Sequence, residues 1–216
     1  MNPVDNVGTR HKTTVNINSF KKRHFQIVKL INSLYKNKEI IKVAEIGSGY
    51  GHLANLISIK SKNMAYTGYE LNPGRAEFCR QNNLNVKDEY FPVKPNAYNV
   101  VILDNVLEHI VDPGNMLNSV AKSLKQDGYI LIIVPNRHDI RRLSTRWRNR
   151  HFWQLRSHVS YYSYGDLVRL TQRYGLKIKV FGFNSFIWSV GSFIKIILDL
   201  IGIRISGLYV YASKGT

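Results

Sequence analysis

A glycine-rich turn between a predicted strand and a predicted helix constrains this chain more than any other feature. The motif Glu45-Ile46-Gly47-Ser48-Gly49-Tyr50-Gly51 follows the apolar run Ile40–Ala44 and precedes the helix-like run His52–Ile57. Short apolar runs bounded by turn residues predict buried strands. Glycines at such a turn let a ligand touch the backbone, because no Cβ stands in the way. The pattern predicts an α/β fold with a ligand site where its first strand ends.

An acidic residue further along specifies the kind of ligand. The strand predicted over Ala65–Tyr69 ends at Glu70, nineteen residues after Gly51. A carboxylate at this place can accept hydrogen bonds from both hydroxyls of a ribose. Together the turn and Glu70 predict a nucleoside-binding protein, and a turn without any ligand is the alternative.

The glycine spacing separates two kinds of nucleoside ligand. Dinucleotide-binding turns follow G-x-G-x-x-G, whereas this chain has G-x-G-x-G with Glu45 two positions before the first glycine. The variant resembles the first motif of the class I S-adenosylmethionine-dependent methyltransferases, E/D-x-G-x-G-x-G. The same spacing disfavours a nicotinamide-dependent dehydrogenase.

Later segments carry the resemblance further, over about residues 40–182. The predicted strand Tyr98–Asn105 and the following Val106–Pro113 resemble the methyltransferase branch that includes the ubiquinone-type O-methyltransferases. A strand ending in Pro135-Asn136 and the aromatic segment His158–Leu167 resemble the same branch.

The sequence also predicts a third strand over Asn85–Phe91 and a turn at Asp127-Gly128. The alternation of predicted strands and helices indicates a parallel sheet. The resemblance implies a single α/β domain of Rossmann-like fold, with a mostly parallel seven-stranded sheet, a reversed strand near the C-terminus and helices on both faces. We divide this domain, 1–216, into an N-terminal helical cap (1–38), a cofactor-binding core (39–136), a basic acceptor-side insertion (137–163), and C-terminal helices and strands (164–216).

Two amphipathic patterns flank the core. Ser19 is expected to cap a first helix, whose apolar face includes His24 as a core histidine. A second pattern over residues 186–201 is interrupted by Lys195 and Asp199. It never reaches the roughly 18 uninterrupted apolar residues of a spanning helix. We expect it to pack on the core, with insertion into a membrane interface as the alternative.

The resemblance implies S-adenosylmethionine as the cofactor, S-adenosylhomocysteine as its product, and no metal. In this family the glycine turn approaches the donor, a carboxylate such as Glu70 binds its ribose, and Asp88 matches the position that contacts the adenine amino group. An ordinary loop residue is the alternative for Asp88. The implied cofactor-binding residues are Glu45, Gly47, Ser48, Gly49, Gly51, Glu70, Leu71, Asp88, Asp104 and Asn105.

Two histidines are candidates for a general base, because methylation of an oxygen requires removal of its proton and imidazole titrates near neutral pH. His109 and His158 both lie on segments that the resemblance places towards the methyl group. Support of the fold is the alternative for His109, and His158 is the one to test first.

The charge of the chain indicates an anionic partner. The net charge is +17 and the pI is about 10.0, so the protein attracts nucleic acid, acidic lipid headgroups or an acidic substrate. Seven of the fourteen arginines fall within residues 137–156, and the single acidic residue there, Asp139, leaves this segment at +6. General enrichment in lysine does not explain this clustering.

Arginines bind phosphate and carboxylate bidentately, and the aromatic residues among them offer flat apolar surface. Our hypothesis is an acidic or phosphate-bearing acceptor, such as a nucleotide-linked sugar, a lipid-linked glycan or a polyisoprenoid-type molecule. A solvated basic helix is the alternative. The candidate acceptor-binding residues are Arg141, Arg142, Arg146, Trp147 and Tyr161.

Two other functions remain open. An RNA methyltransferase fits the charge and the mixture of arginine with aromatic residues. The chain lacks the N/D-P-P-Y/F motif of base amino-group methylation and a cysteine besides Cys79, so this alternative is disfavoured. A non-catalytic cofactor-binding or membrane-peripheral protein is the other. The single cysteine fits a reducing cytosol, so we expect a cytoplasmic protein, with peripheral contact at the inner membrane face left open.

Overall fold

A seven-stranded sheet forms the centre of the protein, and our computed structural model describes residues 15–137, 157–184 and 207–214. The strands are β1 (Ile41–Ile46), β2 (Met64–Tyr69), β3 (Val86–Lys87), β4 (Tyr98–Asp104), β5 (Leu124–Val134), β6 (Leu176–Asn184) and β7 (Gly207–Lys214). The described helices are α1 (Lys22–Leu34), α2 (His52–Lys60), α3 (Pro73–Gln81), α4 (Pro113–Ser123) and α5 (Tyr164–Arg173). A short 3-10 turn covers Leu107–His109.

The sheet order is β3-β2-β1-β4-β5-β7-β6. Strands β1 to β5 pair in parallel, and β7 runs antiparallel to both of its neighbours, β5 and β6. This confirms the predicted mostly parallel seven-stranded sheet with a reversed strand near the C-terminus. The reversed strand lies inside the sheet, between β5 and β6.

Helices cover both faces, as predicted, because alternate residues of the strands point to opposite sides. Ala44 of β1 belongs to the apolar cluster that includes Leu117 of α4 and Leu167 of α5. Val43, one residue earlier, belongs to the cluster that includes Ile31 of α1. Burial of these side chains drives the assembly of the two layers on the sheet.

The start of α1 differs from the sequence-based prediction. Lys21, not Ser19, occupies the N-cap position, and its amide donates to Nδ1 of His24 at 3.3 Å. The amide of Ser19 donates to the carbonyl of Asn16 at 3.0 Å, so Ser19 belongs to the preceding turn. His24 is buried, as expected for a core residue. Its burial, assisted by the charge of Arg23, lowers its pKa to about 4.

Two local predictions on the strands were wrong. A turn was expected at Asp127-Gly128, but these residues lie within β5, where the register with β4 shifts. Extra residues on one strand are accommodated as a bulge, so turn-forming residues need not end it. The third strand is limited to Val86–Lys87 and does not extend to Phe91. Phe91 instead packs edge-on against Tyr69, with ring centroids 5.3 Å apart.

The basic insertion begins and ends at one place. Asn136 and Tyr162 form an isolated parallel bridge, and the amide of Arg137 donates to the carbonyl of Tyr162 at 2.8 Å. Most of the insertion, 138–156, and the apolar pattern at 186–201 lie outside the described residues. Within the three described ranges, no helix is long and apolar enough to cross a membrane.

Candidate functional site

The candidate cofactor site lies where β1, β2 and β4 end. These strands are parallel neighbours, so the glycine turn after β1, Glu70 after β2 and Asp104 at the end of β4 meet at one edge of the sheet. The chain runs outward to β2 and β3 on one side of β1, and to β4 and β5 on the other. Ligands of open α/β sheets bind in the crevice that such a reversal creates.

The glycine turn is tied to the end of β2. Gly47, Gly49 and Gly51 have φ angles of +71°, +57° and +71°, a left-handed region that glycine adopts at little cost. The amide of Gly47 donates to the carbonyl of Tyr69 at 2.7 Å, and the amide of the buried Ser48 donates to the same carbonyl at 3.3 Å. The turn is thereby fixed relative to both strands.

The three glycines serve different purposes. A Cβ on Gly47 would lie 2.5 Å from Cγ2 of Val106, and one on Gly51 would lie 2.9 Å from Sγ of Cys79. These two glycines are required by packing. A Cβ on Gly49 would meet nothing within 4 Å. Gly49 therefore presents bare backbone to open space, which is where a ligand can approach.

Glu70 holds this turn from the neighbouring strand. It is 7% exposed, and its Oε2 accepts from the amide of Gly49 at 2.7 Å, while Oε1 accepts from the amide of Asn72 at 2.9 Å. A carboxylate offers about four acceptor positions. Glu70 can therefore order the turn and still accept from hydroxyls of a bound ribose.

Glu45 is buried in β1 and accepts a hydrogen bond from the hydroxyl of Tyr66 on β2. Burial raises the pKa of Glu45 to about 8, and the nearby carboxylates of Asp104 and Glu70 act in the same direction. Glu45 therefore retains its proton at neutral pH. Its hydrogen bond joins β1, which leads into the glycine turn, to the neighbouring strand β2.

Asp104 is held by two donors. Nε of Arg23 donates to its Oδ2 at 2.6 Å, and Nδ2 of Asn105 donates to its Oδ1 at 2.7 Å. Burial raises the pKa of Asp104, and the positive charge of Arg23 opposes that rise. In a chain of net charge +17, the carboxylates of Glu70 and Asp104 lie at one edge of the sheet. Such a local concentration favours a cationic ligand.

The remaining predicted cofactor residues lie on exposed loops at the same edge. Leu71 follows Glu70 and is 53% exposed, and Asp88 is exposed directly after β3. Both loops follow the carboxyl ends of parallel strands, so they lie at the same edge of the sheet as the glycine turn. The predicted acceptor residues Arg141, Arg142, Arg146 and Trp147 lie outside the described residues.

The two candidate bases come together, although 49 positions separate them. The rings of His109 and His158 have centroids 4.9 Å apart, and the ring of Tyr161 lies 5.5 Å from that of His158. The backbone explains this contact. The amides of Val159 and Ser160 donate to the carbonyl of Glu108 at 2.8 and 3.1 Å.

Glu108 belongs to this group, and the sequence analysis missed it. It is 1% exposed, and burial raises its pKa to about 7. Glu108, His109 and His158 each present one oxygen or nitrogen within 4.8 Å of the others. The adjacent acidic residue and histidine after a strand were visible in the sequence. Their proximity to His158 depends on the return of the chain at 157–160.

Comparisons with known proteins agree with this architecture. A SAM-dependent methyltransferase from Archaeoglobus fulgidus has a TM-score of 0.61 at 18% identity, over 88% of this chain and 94% of that one. One from Mesorhizobium loti has a TM-score of 0.63 at 12% identity, over 86% and 96% of the two chains. A chain from the complex of the Haloferax volcanii Trm112 methyltransferase activator with a methyltransferase has a TM-score of 0.63 at 13% identity, over 90% and 91%. These likenesses concern the fold.

Sequence relatives extend the comparison. The uncharacterized protein MJ0638 of Methanocaldococcus jannaschii is 28% identical over 116 residues, 54% of this chain. The chain spans about half the length of that relative, 50%. The family described as "Methyltransferase domain" matches residues 20–179, most of the chain and all of the site described above. The chain therefore belongs to this methyltransferase-domain family.

Proposed function

We propose that the chain is an S-adenosylmethionine-dependent methyltransferase that methylates an oxygen of an acidic or phosphate-bearing acceptor. The observation that carries the cofactor assignment is Glu70, whose carboxylate holds the amide of Gly49 at 2.7 Å beside open space. The acceptor class is a small molecule, a sugar or a lipid-linked glycan. Family membership supports the reaction type.

The residues present fit the donor. Open space above Gly49 is a cradle that any Cβ would fill, and Glu70 would bind the ribose hydroxyls. The carboxylate of Asp104 would lie close to the cationic part of the donor, and Asp88 and Leu71 would border the adenine. When bound, S-adenosylmethionine supplies an activated methyl group on a positively charged sulfur.

The chain itself aligns the acceptor with that methyl group. Orientation of two reactants in one site removes much of the entropic cost of their encounter. His109 and His158, whose rings lie 4.9 Å apart, would receive or relay the acceptor's proton, with Tyr161 beside His158. A basic insertion that leaves the sheet at Arg137 and returns at Tyr162 would cover the acceptor and bind its anionic group through Arg141, Arg142, Arg146 and Trp147.

Calorimetry with S-adenosylhomocysteine tests the cofactor assignment. We expect binding by the wild type and a loss of about tenfold or more in affinity for Glu70→Ala. Glu77→Ala is the matched control, because Glu77 is exposed on α3 and pairs with Arg80. Folded protein that gives no heat with this ligand or with the donor would overturn the proposal.

The acceptor class is tested with radiolabelled donor and a panel of phosphorylated sugars, nucleotide sugars and lipid-linked glycans. Arg141→Ala and Arg142→Ala should raise KM for the acceptor and leave cofactor affinity unchanged, with Arg173→Ala on α5 as the control. Equal losses in acceptor and cofactor binding would contradict a role in acceptor recognition.

Binding to anionic vesicles tests the peripheral membrane contact, and donor binding without transfer to any acceptor would favour a non-catalytic protein.

A further inference from the structure

The cluster of Glu108, His109 and His158 has a composition that general base catalysis does not require. One carboxylate and two imidazoles present their ligand atoms within 4.8 Å of one another. They come from two chain segments, joined by the amides of Val159 and Ser160 bound to the carbonyl of Glu108. The three side chains are thus brought together by the backbone.

Glu108 is the unusual member of this cluster. It is 1% exposed, yet its Oε2 has no hydrogen-bond partner among residues 15–137, 157–184 and 207–214. Buried carboxylates are ordinarily paired, hydrogen-bonded or bound to a metal. A cation between Glu108 and the adjacent imidazoles would satisfy this oxygen.

The orientation of His109 suits the same interpretation. Its Nδ1 lies 2.9 Å from the carbonyl oxygen of Ser157. A carbonyl only accepts, so Nδ1 carries a proton and Nε2 is the ring atom that is available to bind a metal ion. A backbone carbonyl that fixes the ring in this way is a recurring partner of metal-binding histidines, because it sets both tautomer and direction.

We propose that Glu108, His109 and His158 bind a divalent first-row transition-metal ion. Two imidazoles and a carboxylate suit Zn²⁺, Mn²⁺, Fe²⁺ or Co²⁺. Ligand atoms around such an ion at about 2.1 Å lie roughly 3.4 Å apart, so small side-chain movements would close the cluster. The proposal replaces the sequence-based expectation of a protein without a metal.

The ion's role in catalysis rests on the function proposed above. Three protein ligands leave at least one coordination position for another oxygen. His109 is exposed, and so are its neighbours Val111 (83%) and Val159 (56%), so the cluster is open to an acceptor. With the ion bound, His109 and His158 act as ligands and not as the proton acceptors proposed above. Coordination of an acceptor hydroxyl would lower the pKa of that hydroxyl and release its proton to solvent, which leaves the oxygen lone pair free to attack.

Metal binding can be measured without an acceptor. Chelator-treated protein is titrated with Zn²⁺ by calorimetry and with Co²⁺ by visible absorption. We expect one ion per chain, and losses of about tenfold to a hundredfold in affinity for Glu108→Gln, His109→Gln and His158→Gln. His52→Gln is the matched control, because His52 also stacks on another histidine, His24, at 6.3 Å but lies outside the cluster. The affinity of the His52→Gln variant for Zn²⁺ and Co²⁺ should stay within about twofold of the wild-type value.

Circular dichroism and S-adenosylhomocysteine binding accompany each variant. Normal cofactor binding with no wild-type uptake of Zn²⁺ or Co²⁺ would overturn the metal proposal and leave the proposed function standing. Equal metal affinity in the wild type and all three variants would overturn it as well. If the wild type did not bind S-adenosylhomocysteine, the proposed function would be contradicted instead.

Discussion

Arg23 and Asp104 are 81 positions apart in the sequence, yet Nε of Arg23 lies 2.6 Å from Oδ2 of Asp104. This ion pair attaches α1 to the edge of the sheet that carries the cofactor site. The Asp104 side chain is 7% exposed and that of Arg23 is 25% exposed, so water screens the pair only partly.

Removal of Arg23 should destabilise the fold in a pH-dependent way. Arg23→Ala leaves a nearly buried carboxylate without its cation, and we expect a loss of about 2 kcal/mol in unfolding free energy near neutral pH. Burial already raises the pKa of Asp104, and loss of Arg23 would raise it further. Asp104 would then be protonated in acid, where it needs no partner, so the loss should shrink as the pH falls. Urea unfolding of both proteins near pH 7.5 and near pH 5 measures this.

Lys38→Ala is the control for that experiment. Lys38 and Asp127 are also separated by 2.6 Å, but the Asp127 side chain is 58% exposed. Exposed pairs contribute less than about 1 kcal/mol. Similar losses in both variants, or a loss for Arg23→Ala that does not depend on pH, would show that the burial of Asp104 is not the cause.

Glu45 should make the stability of the wild type fall as the pH rises. Its pKa is raised from 4.5 to about 8 in the folded protein, so the folded state holds the proton more tightly than the unfolded state. The unfolding free energy should therefore fall between about pH 4.5 and pH 8, by up to about 1.4 kcal/mol per pH unit. Glu45→Gln keeps the shape and removes the titration, so its stability curve should be flatter in this window.

Glu77→Gln is the matched control for Glu45. The hydrogen bond from Arg80 lowers the pKa of the exposed Glu77, so Glu77 stays ionised across the window. Its replacement should leave the slope unchanged. A Glu45→Gln curve as steep as that of the wild type would refute the assignment of a protonated Glu45.

Gly47 and Gly49 should respond differently to alanine. Gly47→Ala places a methyl group 2.5 Å from Cγ2 of Val106, whereas Gly49→Ala finds no atom within 4 Å. Both residues have positive φ, which costs roughly 1–2 kcal/mol for alanine. We expect Gly47→Ala to lower the thermal midpoint more than Gly49→Ala does. We expect Gly49→Ala to weaken S-adenosylhomocysteine binding about tenfold or more, although it destabilises the fold less. Thermal unfolding measures the loss of stability, and calorimetry measures the loss of binding affinity. If the two variants lost stability and affinity equally, the different roles of Gly47 and Gly49 would be contradicted.

Cys79 should report on the glycine turn. It is fully buried, burial raises its pKa to about 11, and its thiol lies 3.5 Å from the carbonyl oxygen of Gly49. Thiol reagents should therefore react slowly with the folded protein and quickly in urea. Saturating S-adenosylhomocysteine should slow the reaction further by holding the turn closed. Rapid labelling of folded protein would show that the turn opens readily.

The parts of the fold that were predictable depend on local patterns. The Gly47–Gly51 turn between an apolar run and a helix fixed the end of β1, and Glu70 fixed the end of β2, because both patterns are contained in a few neighbouring residues. Ser19 does not cap α1 because the helix begins only at Lys22, with Lys21 at the N-cap position. Asp127-Gly128 does not form a turn because β5 bulges there. Tertiary pairing decides such cases, and a single sequence does not display it.

The candidate site shows the same division. The sequence identified His109 and His158 separately, but their contact at 4.9 Å and the burial of Glu108 depend on amide bonds from residues 159 and 160. The different roles of the three glycines depend on Val106 and Cys79, which are distant in the chain. Chemistry carried by adjacent residues was visible, whereas chemistry assembled from separate segments was not.

The position of β7 between β5 and β6 has a consequence for biosynthesis. β6 is synthesised before β7, and β7 is its neighbour in the described sheet. The backbone of β6 therefore has no native strand to pair with while residues 185–206 are translated. The edge of β5 that later pairs with β7 is unpaired during the same interval. Until β7 is synthesised, the nascent chain exposes two unpaired strand edges, and such edges are prone to pair with other chains.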